Sequence, residues 1–149
     1  MKQFIGGMVR ARGLLAGVFV AAAVASAGQA KAETWMPVPL AKVGLHLHTD
    51  PKGVWSKAET DDVNGSGIWY GTYRSERLGG TVVVSQIVNG DCGSPSDCPV
   101  RVIFEGGSGK KVLLQSEQMC AVPTDFQIAT SLKAIKACDR VLPLGKPGL

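Results

Sequence analysis

The sequence predicts a mainly β (α+β) domain: a small antiparallel meander, barrel- or sandwich-like, with one C-terminal helix and two disulfides, an all-β arrangement being the alternative. Three observations carry this. Strand-like runs of six to eight residues recur between positions 68 and 116, separated by turns rich in Gly and Pro. Four cysteines follow an export leader. Residues 125–139 carry apolar side chains at helical spacing.

The leader comes first in the chain. Lys2, Arg10 and Arg12 form a positive start without an acid, and Gly13 to Ala25 is an apolar run of about 13 residues. Ala30-Lys31-Ala32 then has the small-x-small form of a cleavage site, with Ala25-Ser26-Ala27 as a second possibility. A membrane span needs roughly 20 apolar residues, so residues 1–32 read as a cleavable signal peptide. The next cysteine after the apolar run is Cys92, too far on for a lipoprotein anchor. The expected location is periplasmic or secreted, without a membrane span in the mature chain.

Residues 33–149 are then a single domain. The chain has 16 Lys and Arg against 12 Asp and Glu; its four surplus cations, Lys2, Arg10, Arg12 and Lys31, all lie in the leader. The domain is therefore neutral, and its only adjacent basic pair, Lys110-Lys111, is too little for a phosphate-binding surface. Nucleic acid is not expected as a partner.

Along the domain, Pro37 and Pro39 mark residues 33–40 as extended chain at an edge. Val43, Leu45 and Leu47 alternate with polar or small residues, a half-buried strand. Asp50-Pro51-Lys52-Gly53 is a turn, and residues 56–67 read as an exposed polar loop containing a glycosylation-type Asn64-Gly65-Ser66. Ile68–Tyr73, Thr81–Val88, Val100–Glu105 and Lys111–Ser116 are the strongest strands, with turns at Gly79-Gly80 and Gly106–Gly109. Near the end, Thr124 and Gln127 have capping-box spacing, and Ile128, Leu132, Ile135 and Cys138 share one helical face. Two short strands, Phe126–Thr130 and Leu132–Cys138, are the competing reading.

The favoured cysteine pairing is Cys92 with Cys98 across a Gly-Ser-Pro-Ser-Asp turn, and Cys120 with Cys138. Loop closure gives these roughly 2 and roughly 3 kcal/mol. The Cys92/Cys98 spacing suits neither a zinc ribbon nor a thioredoxin-like pair.

Candidate chemistry is sparse. His46, His48 and Asp50 share one face if the strand runs through them, and could converge on Zn²⁺ or Cu²⁺. Trp69, Tyr70, Tyr73, Arg74 and Arg77 are a candidate ligand or partner surface, with core packing as the competing explanation for the aromatics. Gly106-Gly107-Ser108-Gly109-Lys110 fits neither a nucleophile elbow nor a phosphate loop. Asp61-Asp62 reads as solvated loop, and no catalytic residue or cofactor is called for. The functional expectation is an exported, periplasmic, non-enzymatic binding or interaction protein whose partner is an unknown protein or small ligand of the cell envelope. A small metal-binding protein or metal-dependent enzyme using His46 and His48, and a structural envelope component, are the alternatives.

Overall fold

In the computed structural model, which describes residues 32–43, 50–61, 67–90, 92 and 97–146, those residues form nine strands and one short helix. The run Val82 to Ile87 is buried at every position, on both faces of its strand. Such a strand must lie inside a sheet covered on both sides. It does. β4 (Gly80–Val88) is the middle of a five-stranded antiparallel sheet with β2 (Ala41–Lys42) and β3 (Gly67–Ser75) on one side, and β5 (Asp97–Gly106) and β6 (Gly109–Cys120) on the other. β3 to β6 are the expected meander.

A second antiparallel sheet has the order β1-β7-β8-β9, built from Trp35–Pro37, Gln127–Ala129, Ala134–Ala137 and Arg140–Pro143. Its first strand, β1, is an edge strand, as the Pro-rich start predicts. Neither strand order closes on itself, so the arrangement is a sandwich rather than a barrel among the described residues. Val82, Val84, Val102 and Phe104 from one sheet share a core with Phe126, Ile128 and Ile135 from the other. Burial of such side chains contributes roughly 1.5–3 kcal/mol each.

The expected helix over residues 125–139 is not formed; β7 and β8 occupy that stretch, which is the two-strand alternative. Asp125 N–H donates to Val122 O in a turn, so the capping-box spacing of Thr124 and Gln127 starts no helix. Leu132 and Cys138 then adopt left-handed φ values of 57° and 50°, which no right-handed helix can contain. Leu132 sits in the β7–β8 connection, and Cys138 opens the β8–β9 turn.

A second departure lies in residues 56–67. Lys57–Asp61 form a short helix, α1, rather than loop. Ser56 is its N-cap: the Glu59 N–H donates to Ser56 Oγ at 3.3 Å, and Ser56 N–H donates back to Glu59 Oε2 at 2.8 Å. Ser56-Lys57-Ala58-Glu59 is thus a reciprocal capping box. The segment from Val54 to α1 crosses the five-stranded sheet on the face away from the other sheet. There Val54, Trp55, Ile68, Tyr70, Val83, Ile87 and Ile103 form a second core.

Two features tighten the frame. Gly80 allows close approach of strands: a Cβ there would lie 2.3 Å from Phe104 Cζ and 2.6 Å from Glu105 O. In β6 the register slips twice, so that Val102 faces Leu114 and Ile103 faces Val112. The intervening bulge buries Leu113 and Leu114 in succession, and Ser116, at φ 45°, marks the other irregularity. Both disulfides pair as favoured. Cys92–Cys98 clips the β4–β5 connection, and Cys120–Cys138 ties the end of β6 to the β8–β9 turn of the other sheet. Among the described residues, no helix is long and apolar enough to cross a membrane.

Candidate functional site

The five residues nominated as a surface separate in space because β3 alternates between two cores. Tyr70 points into the second core and is only 8 % exposed, with its hydroxyl unpartnered among the described residues. Trp69 and Tyr73 pack partly buried against the first core. Only Tyr73, Arg74 and Arg77 come together on a groove. Core packing therefore accounts for Tyr70 and for much of Trp69 and Tyr73, while Arg74 and Arg77 are exposed.

That groove lies where the β3–β4 turn meets the β7–β8 loop. Arg77 Nη2 donates to the carbonyl of Ser131 at 3.3 Å, joining the tip of one sheet to a loop of the other. A hollow opens on each side of this bridge, and both are lined by Arg77 and Ser131. The first, of about 630 Å³, adds Met36, Tyr73, Arg74, Glu76 and Thr130. The second, of about 600 Å³, adds Leu78, Leu132, Lys133, Leu144 and Lys146. Ser131 is fixed from its other end: Glu33 Oε2 accepts from Ser131 Oγ at 2.7 Å, and Oε1 accepts from Ser131 N–H at 3.3 Å. The Ser131 hydroxyl, with help from the Lys133 charge, holds the Glu33 carboxyl below its ordinary pKa.

The backbone gives the loop its shape. Leu132 N–H donates to Ala129 O and Leu144 N–H to Lys133 O, both at 2.8 Å, which pins the left-handed Leu132 from both sides. Its side chain is 2 % exposed, so burial in the shared core offsets the unfavourable backbone. This geometry holds Lys133 and Ser131 at the surface beside Arg77.

No family model, curated protein or solved structure matches this chain. The site must therefore be read from its own residues.

Of the metal triad, His46 and His48 lie outside the described residues. Asp50 is described, and its carboxylate is engaged locally: it accepts the backbone N–H of Lys52 at 2.9 Å and of Trp55 at 2.6 Å, and also that of Val54. With Gly53 N–H donating to Asp50 O, these bonds close the expected Asp-Pro-Lys-Gly turn. Among the described residues there is no group of three or more His, Cys, Asp or Glu able to hold a metal ion.

One polar cluster was missed by reading the sequence. Tyr70, Ser85 and Arg101 lie side by side across β3, β4 and β5. Trp55 Nε1 donates to Ser85 Oγ at 2.7 Å, and the Arg101 guanidinium reaches Val54 O at 2.6 Å and Glu59 Oε1 at 2.8 Å. The Arg101 hydrogen bond, supported by Ser56, lowers the Glu59 pKa to about 2. Arg101 is 6 % exposed and its Nε has no partner among the described residues. The arrangement latches Val54–Asp61 onto the sheet. Its one legible signal was the Ser56-x-x-Glu59 spacing.

Proposed function

We propose that the protein is exported to the periplasm or beyond, and works there by binding a ligand in the groove at Arg77 and Ser131. The observation that carries the site is the Arg77–Ser131 bridge, which joins two sheets and has a hollow on either side. Grooves at the meeting of two packed layers are where small ligands gain enclosure. Export is supported by the basic, then apolar, then small-residue order of residues 1–32, and by two disulfides that need an oxidising compartment.

The test is a fragment screen read by amide chemical shifts on the exported protein. Shifts clustering at Arg77, Leu78, Ser131 and Lys133 are the expected result. Hits scattered over the surface, or confined to another face, would overturn the groove as the binding site. The mass of the protein recovered from the cell envelope tests export separately, with cleavage before Glu33 expected.

A further inference from the structure

We infer that the second arm of the groove takes an amphipathic anion: a carboxylate or phosphate head joined to an apolar chain. This deepens the binding proposal and rests on it. The arm is lined by three cations, Arg77, Lys133 and Lys146, and three leucines, Leu78, Leu132 and Leu144, with Ser131 and Gly145 completing it and no carboxylate among them. In a domain with equal numbers of acidic and basic side chains, such local segregation is a specific complement to negative charge.

The Lys133 charge acts partly on the Glu33 carboxylate, but among the described residues none of the three cations is closed off in an ion pair. The ion pairs among these residues are Arg101–Glu59, Lys110–Glu105 and Arg140–Asp97. Arg77 spends one donor on Ser131 O, leaving the rest of its planar fork for an oxygen pair. Of the nearby carboxylates, Glu33 is taken up by Ser131, and Glu76 lines only the other arm. Half-buried Leu78 offers most of the leucine surface open to a ligand, and it is backed by Leu132 and Leu144, which are 2 % and 9 % exposed and packed in the core. A plain inorganic anion would leave that apolar surface unused, and a neutral hydrocarbon would leave the cations unused.

The test is calorimetric titration of the exported protein with sodium decanoate, against sodium hexanoate, decanol and inorganic phosphate. Decanoate is expected to bind at least about tenfold more tightly than hexanoate, because each buried methylene adds to the affinity. Lys133→Gln and Lys146→Gln are each expected to weaken decanoate about threefold to fivefold, and Lys111→Gln, on β6, is expected to leave it unchanged. Arg77→Gln is expected to weaken it further, but that side chain also bridges the sheets, so the two lysine variants carry the test. Flotation with phosphatidylglycerol against phosphatidylcholine vesicles distinguishes the sources. Recovery with the former alone means the anion is presented on a lipid surface; decanoate binding without recovery means a free amphiphile. Decanol binding as well as decanoate, phosphate matching decanoate, or lysine variants without effect would overturn the inference. If fragments still cluster at Arg77 and Ser131 in that case, the binding proposal stands and only the ligand class falls.

Discussion

The Arg101 guanidinium lies 4.4 Å from the centre of the Trp55 ring, a buried cation stacked on an indole whose own N–H is bonded to Ser85. Each partner thus satisfies a different need of the other: Trp55 shields a charge, and Arg101 holds the Trp55 backbone neighbourhood through Val54 O. Trp55→Phe keeps the ring face but leaves the fully buried Ser85 hydroxyl without its donor. The expected loss is about 1–2 kcal/mol, with about 3–5 kcal/mol for Trp55→Ala, both measured by denaturant unfolding.

Acid should release the latch. Glu59 titrates near 4.5 when unfolded and near 2 when folded, so its contribution is complete above about 4.5 and is lost as the pH falls toward 2. Its side chain is 37 % exposed, so solvent screening reduces the effect to about 1–2 kcal/mol. Melting temperatures between pH 5 and 2 should fall more steeply in the native protein than in Glu59→Gln, which is already weakened at neutral pH. Parallel curves would remove the Arg101–Glu59 pair as the cause.

The two disulfides should differ in weight. Cys120–Cys138 closes the longer loop and spans two sheets, so the Cys120→Ser/Cys138→Ser protein is expected to lose about 3 kcal/mol. Cys92→Ser/Cys98→Ser is expected to lose about 2 kcal/mol. Urea midpoints of the two double variants give the order directly.

Gly80→Ala should be among the most damaging small substitutions in the domain. The added methyl meets Glu105 O, a backbone atom that cannot rotate away, as well as the Phe104 ring. A loss of about 1–3 kcal/mol or more is expected. At Gly79, φ 62°, nothing lies within 4 Å of an added Cβ, so Gly79→Ala tests backbone strain alone and should cost about 1 kcal/mol.

Much of the larger sheet was legible because its strands are long, β-branched and bounded by glycines. The stretch after Cys120 was not, and the reason is local. Its two reversals rest on Leu132 and Cys138 in left-handed conformations, positions where a Gly or Asn would have announced a turn. Without such punctuation, Ile128, Ile135 and Cys138 fit a helical period as well as an alternating one. The groove was half legible. Tyr73, Arg74 and Arg77 are neighbours in sequence, whereas Ser131, Lys133 and Lys146 join them only through the packing of β7, β8 and β9. The Arg101 latch pairs residues 42 positions apart, beyond the reach of any spacing rule.

The bond between Cys120 and Cys138 encloses β7, β8 and the Arg77-facing loop in a covalent ring. A protease that cuts once anywhere inside that ring does not divide the molecule, since both ends stay attached through sulfur and the cut strands keep their sheet neighbours. A nicked copy would migrate as intact protein until reduced. The peptide bonds around exposed Lys133 can therefore be cut without the two sheets parting company, so a single break in this loop costs the molecule a bond but not its covalent unity.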